Sequence, residues 1–308
     1  MAPMLLFAQN GGSSGKPIVM LFTGFHADLF DDTTAAGFSI DRAHIGYEHY
    51  FDEHWTATAF IDAGRDGGLH HTAMLKNVYV TWHNESLRLH LGIVPTHSFI
   101  PQEKVWGYRY LAKTVIDEGG WSAPADLGVS MEYDIDEWLS VDAAVLNGEG
   151  FKHLQMDNQL LYAVGVTARP LENLQLRAYY DIKTAADSAV QQMLVASIGY
   201  THPRFTLGAE YARMWNHANA EGHGLDALSV YGTAHLSTKF DLFARYDYSG
   251  STDPDDLWRY GHDCQRAILG LQWNANKWIS LSPNVQRFFD TADGRSHTLA
   301  ALSLKAAL

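Results

Sequence analysis

Residues 55–65 read WTATAFIDAGR. Trp55, Ala57, Ala59, Ile61 and Ala63 share one face of an extended chain, and Thr56, Thr58, Asp62 and Gly64 share the other. A period of two marks a β-strand whose faces meet different surroundings. The stretch LRLHLGI at 87–93 repeats it, with Leu87, Leu89, Leu91 and Ile93 against Arg88, His90 and Gly92. One face is oily and the other carries charge at mid-strand, as in a strand standing between lipid and a wet interior.

The same alternation marks sixteen segments, at 18–30, 37–52, 54–65, 73–83, 86–95, 125–135, 138–147, 159–170, 173–184, 191–202, 204–215, 226–237, 239–250, 265–275, 277–289 and 297–308. Their connections alternate too. FDEH at 51–54, HNES at 83–86 and NANK at 274–277 are tight, whereas RDGGLHHTA at 65–73 and NHANAEGHGLD at 216–226 are long. Short periplasmic turns and long outer loops are the outer-membrane convention. The pattern predicts an all-β fold: a transmembrane antiparallel up-and-down β-barrel of 16 strands, both chain ends periplasmic.

Aromatic residues gather beside the tight turns: Tyr50, Phe51, Trp55, Trp82, Tyr133, Trp138, Tyr200, Phe205, Phe240, Trp273 and Trp278. Amphipathic rings favour the headgroup level, so this girdle is predicted to mark one membrane boundary. No apolar run reaches the roughly 18 residues of a transmembrane helix. A hydrophobic fraction of 46% with mean hydropathy −0.18 suits a chain half of whose residues face water. A net charge of −13 argues against nucleic acid as a partner. Cys264 is the single cysteine, which excludes an intrachain disulfide or a thiolate metal cluster, and no cofactor or metal is expected. Residues 1–9 read as the tail of a secretory signal, 10–16 as a flexible leader and 17–308 as the barrel.

A soluble sandwich or propeller would also alternate. Here, however, the charges sit at mid-strand opposite an apolar face, and blade repeats are absent. The residues predicted to line the pore are Arg42, Glu48, Asp62, Arg88, Glu132, Asp142, Arg177, Asp181, Glu210, Arg245 and Asp247. A barrel this wide is not filled by its own side chains, so these charges are expected to keep their hydration in an aqueous channel. Pro283 falls inside the fifteenth strand and predicts a bulge or kink.

The third long connection, THSFIPQEKVWGYRYLAKTVIDEGGWSAP at 96–124, is the longest and the most apolar. Such a loop seldom stands free in water. It is predicted to fold back into the barrel and narrow the pore, presenting Glu103, Lys104, Arg109, Lys113, Asp117 and Glu118. The alternative is an outer cap or a docking surface.

The stretch from Gly92 to Ile135, with FIDAG and LKNVYVTW before it, resembles the third-loop region of the phosphate-selective porin O and P family. QEKxWGYRY and ADLGV carry the likeness, and the remainder matches in strand rhythm across about 18–308. The resemblance implies a trimeric sixteen-stranded channel for small anions, with Lys104, Arg109 and Lys113 as loop cations at the constriction. The wall departs from that pattern. Arg42, Arg88, Arg169, Arg177, Arg245 and Lys305 face Glu48, Asp62, Glu132, Asp142, Asp181, Glu210, Asp241 and Asp247. Phosphate selectivity needs an excess of positive charge along the path. DLFDD at 28–32 and TDPDD at 252–256 would repel anions from the mouth. A general or weakly cation-preferring pore for small hydrophilic solutes is therefore expected.

Other chemistry is weaker in the sequence. TDPDD is oxygen-rich but lacks the spacing of a Ca²⁺ loop. The loop histidines His70, His71, His153, His217, His223, His262 and His297 show no ligand spacing, and no glycine-flanked nucleophile marks a hydrolase. A non-conducting barrel serving as surface scaffold or adhesin is the remaining alternative. Outward small residues, Ala43, Ala57, Ala59 and Ala63 foremost, suggest a subunit contact on strands two and three. The expected partners are outer-membrane lipid, small solutes or ions, and two further copies in a homotrimer.

Overall fold

The structure is a computed structural model that describes residues 14–30, 33–65, 70–186, 188–253, 257–289 and 291–308. The strands are β1 (Ser14–Leu29), β2 (Thr34–Tyr50), β3 (Trp55–Arg65), β4 (His71–His83), β5 (Leu87–Pro95), β6 (Ala125–Asp136), β7 (Leu139–Leu146) and β8 (Leu161–Leu171). They continue with β9 (Leu174–Lys183), β10 (Gln191–His202), β11 (Phe205–Trp215), β12 (Gly224–His235), β13 (Phe240–Thr252), β14 (Cys264–Asn274), β15 (Ile279–Phe289) and β16 (His297–Ala307). Each pairs antiparallel with its sequence neighbours, and β1 closes the barrel on β16. Closure leaves no strand edge unpaired, which an apolar surrounding demands.

The tight turns are closed by short polar side chains. Asp52 Oδ1 accepts from the amides of His54 and Trp55, both at 2.8 Å, and Asn84 Oδ1 accepts from Ser86 and Leu87. Asn276 and Ser237 do the same before β15 and β13. Asx and Ser turns of this kind fix where each strand restarts, and hence its register. Between turns the faces separate cleanly. Val164, Val166, Leu207, Val230 and Leu242 stand exposed, while Thr167, Thr206, Ser229 and Asp241 are buried inside.

Three expectations change. Residues 14–16, read as leader, belong to β1: they pair with Glu48–Tyr50, and Lys16 Nζ lies 3.0 Å from Glu48 Oε1. The residues read as a signal tail lie outside the described ones. Pro283 causes no bulge. It pairs in register with Leu302, is exposed, and merely interrupts the ladder to β14 between Asn284 and Leu281. Register shifts lie elsewhere: at Asp41 in β2 and Lys76 in β4, where the partner strand advances without them, and beside tight turns at Asp134–Asp136 in β6 and Ala168–Leu171 in β8. Most girdle rings, including Trp55, Trp138, Phe240 and Trp278, are exposed beside the tight turns, but Tyr50 turns its hydroxyl to Glu48.

A charge on the outward face tests which side meets lipid. Val230→Arg is expected to cost about 2–4 kcal/mol of folding free energy in a bilayer, read by urea titration in vesicles, and a cost near zero would show that this face does not meet lipid.

Candidate functional site

The segment at 96–124 carries two short helices, α1 (Ile100–Trp106) and α2 (Val115–Glu118). Pro101 suits the first turn of α1, and Gly107, at φ 76, ends it in a conformation that costs glycine little. The segment packs against inward-facing wall residues. Phe99, Val115, Ile116 and Trp121 form one cluster with Tyr179, Met193, Val195, Ala212, Met214, Leu225 and Ala227. Trp106, Tyr108, Tyr110 and Ala112 form another with Phe22, Tyr231, Phe243 and Ile268. At Gly199, an added Cβ would meet Val105 Cγ2 at 2.7 Å, so glycine is what lets α1 approach β10.

Hydrogen bonds sew the same surfaces together. Arg177 Nη2 donates to the His97 carbonyl at 2.9 Å, Tyr231 to that of Gln102 at 3.1 Å, and Gln286 to that of Leu111 at 3.3 Å. Tyr110 donates to Gln272 Oε1 at 2.7 Å, and Tyr260, from the long connection after β13, donates to Gly119 O at 2.8 Å. Burial pushes the Tyr108 and Tyr110 hydroxyls well above the ordinary phenol range, so both remain neutral donors.

All the residues expected to line the lumen are on inward positions, but their surroundings differ from the expectation. Asp142, Arg177, Asp181, Glu210, Arg245 and Asp247 are buried, several of them beneath the segment, rather than hydrated in an open channel. Burial makes pairing obligatory. Arg177 bonds Asp142, Arg245 Nε lies 2.6 Å and Arg266 Nη2 2.8 Å from Asp247, and Glu210 Oε1 accepts from the Val115 amide at 3.3 Å. The residues of β2–β6 are also paired. Arg42 and Lys76 lie 3.5 and 3.1 Å from Asp62, Arg88 Nη2 lies 2.9 Å from Glu132, and Glu48 holds Lys16. Arg169 is exposed beside the turn into β9, not at mid-strand.

Within the segment, Arg109 bonds Glu103 and reaches Asp117 at 2.8 Å, Lys113 lies 3.7 Å from Asp117, and Glu118 lies 3.5 Å from Arg266. Lys104 is exposed. Arg42 on the wall and Arg109, Lys113 and Glu118 on the segment line one cavity of about 540 Å³. Sequence reasoning missed Lys76 and Arg266. The bulge turns both Lys76 and Asn77 inward, where strict alternation would send Lys76 outward. Of the loop histidines, His223 stacks on Trp258 at 4.0 Å and His217 meets Tyr260 at 4.6 Å, which gives both a packing role. TDPDD lies largely outside the described residues.

No protein-family model matches the sequence, and no curated protein sequence does. Solved structures do resemble it. The Salmonella typhi OmpF complex with daunomycin superposes with a TM-score of 0.73 at 10% identity, covering 98% of this chain and 99% of that one. OmpTdeltaL8, an outer membrane protein of Vibrio cholerae, gives 0.72 at 17% identity over 96% and 100%. The anion-selective porin from Comamonas acidovorans gives 0.70 at 12% identity over 96% and 100%. At these identities the likeness establishes the barrel fold.

Gly199→Leu is expected to lift α1 from β10, because the larger side chain must occupy the space of Val105. Trypsin should then cleave after Arg109 in folded protein, where the wild type resists. Equal resistance would show that the contact does not seat the segment.

Proposed function

We propose that the protein is an outer-membrane porin: a water-filled barrel, homotrimeric in the membrane, through which small hydrophilic solutes or ions diffuse past the segment at 96–124. The observation that carries this reading is a closed barrel, apolar outside and polar inside, with that segment packed against one arc of its wall. The segment packs chiefly on β9–β14 and also reaches Phe22 of β1 and Gln286 of β15, so the arc of β2–β6 is the part of the wall we assign to the path. The girdle aromatics support a membrane boundary beside the tight turns, and by the outer-membrane convention we read those turns as periplasmic and the long loops as outside.

The charges along that path argue for weak selectivity. Glu48, Asp62 and Glu132 each have a cation within reach, as in Arg42–Asp62–Lys76, Lys16–Glu48 and Arg88–Glu132. Paired charges give a strong local field and little net preference between ion signs. A net charge of −13 over the chain tilts the mouth toward cations. A second reading, an anion-selective channel, draws on the meeting of Arg42, Arg109 and Lys113 in one cavity. The chemistry assigned to these residues is electrostatic, with no catalytic role.

Planar-bilayer recording under a salt gradient decides between the two. Step conductance with a reversal potential weakly on the cation side is expected, and Asp62→Asn should shift it toward anions. Strong anion preference in the wild type would favour the second reading. A folded, inserted barrel without conductance would contradict both and favour a scaffold.

A further inference from the structure

The start of the connection after β7, at 147–152, also folds inward. Gly148 and Gly150 lie at φ 87 and 76, in the left-handed region that glycine enters at little cost. At Gly150 an added Cβ would meet the Ala123 Cβ at 2.7 Å, so the chain passes close against the end of the segment at 96–124. Its amides are taken up by β6. Asn147 N donates to Leu127 O at 2.9 Å, Gly148 N to Asp126 Oδ2 at 2.6 Å, and Phe151 N to Ala125 O at 2.9 Å. Lys183 of β9 adds two bonds, to Gly148 O at 3.2 Å and to Glu149 Oε1 at 3.1 Å.

This turn delivers Phe151 to the wall on the far side of β5. Lys76 Nζ lies 6.0 Å from the centre of the Phe151 ring. β4 pairs with β5 only from Val78, so Lys76 stands just past that ladder, within reach of the connection. Although it points inward on the arc assigned to the path, Lys76 is only 5% exposed. Asp62 Oδ2 at 3.1 Å and His44 Nε2 at 3.4 Å account for part of its surroundings. The ring accounts for another part. The face of an aromatic ring attracts an ammonium while keeping water from it. Phe151 is half-buried, so part of its ring covers Lys76 and part stays open. Lys152, the next residue along, is exposed, as is Lys104 on the segment.

We propose that Phe151 sets the ion preference of the pore by covering Lys76. The inference rests on the porin reading above and adds to it a second inward loop, distinct from the segment at 96–124. With the ring in place, the ammonium keeps to Asp62 and offers little to a passing anion. Without the ring, the ammonium is hydrated and faces the lumen, a positive site on the arc assigned to the path.

Two measurements on the detergent-solubilised barrel test this and keep it separate from the porin reading. The first needs no conduction: acylation by a water-soluble amine-reactive ester, read lysine by lysine by mass spectrometry, with exposed Lys104 as reference. In the wild type Lys76 should react far more slowly than Lys104. Phe151→Ala should raise the Lys76 rate about fivefold or more, the scale of one ring–ammonium contact. Lys76 reacting like Lys104 in the wild type, or equally slowly in both proteins, would overturn the proposal. The second is the reversal potential in a planar bilayer under a salt gradient. Phe151→Ala should move it toward anions, and adding Lys76→Met should abolish that move. No shift, or a shift that survives Lys76→Met, would show that the ring does not act through Lys76. Both proteins failing to conduct, with acylation as expected, would contradict the porin reading and the ion preference built on it, while the cover over Lys76 would stand. Should Phe151→Ala not fold, the wild-type rate of Lys76 still decides, and Phe151→Leu takes its place in the bilayer.

Discussion

The packing of Phe99, Trp106, Val115 and Ile116 on the inward faces of β9–β14 is the contact on which the rest of the molecule depends. A barrel of sixteen strands is wide enough to hold a segment of its own chain. Which part of the lumen stays open is then decided by where that segment finds apolar area. Burying side chains of this size contributes on the order of 1.5–3 kcal/mol each, so several together outweigh the cost of ordering the connection. The arc of wall left uncovered can remain polar because nothing there has to be sealed.

Polar groups trapped under the segment follow a different rule from those along the open arc. Asp247 lies between Arg245 and Arg266, and the Arg245 guanidinium sits 4.9 Å over the Trp106 ring. Removing one partner of such a buried set would leave an unpaired charge, so these residues hold the segment in place rather than meet solutes. On β1–β6 the pairs Lys16–Glu48, Arg42–Asp62–Lys76 and Arg88–Glu132 face the inside of the barrel apart from that apolar packing.

Most of the architecture was legible in the chain. WTATAFIDAGR and LRLHLGI show both faces of a strand, and turns such as FDEH and HNES carry the Asx residues that close them. Two features were not legible, for identifiable reasons. In β10, Met193 and Val195 face inward while Leu194 and Ala196 face outward, so the run is apolar on both sides. An inward apolar position makes sense only once its partner, roughly ninety residues earlier in the chain, is known. The bulge at Lys76 was hidden because one inserted residue leaves the local composition unchanged while it flips the face of everything beyond it. That slip turned a cation into the lumen beside Asp62. The eleven inward charges were found by period alone, but period carries no information on which of them the segment covers.

A disulfide between the segment and its wall tests the central claim directly. An added Cβ at Gly199 lies 3.3 Å from the Val105 Cβ, close to the separation a disulfide needs, about 3.5–4.5 Å. In a Cys264→Ser background, Val105→Cys with Gly199→Cys should cross-link under mild oxidation, and single-channel conductance should be the same before and after reduction. Failure to cross-link in a folded barrel, or a conductance that rises on reduction, would show that the segment rests elsewhere and that the open arc is wrongly placed.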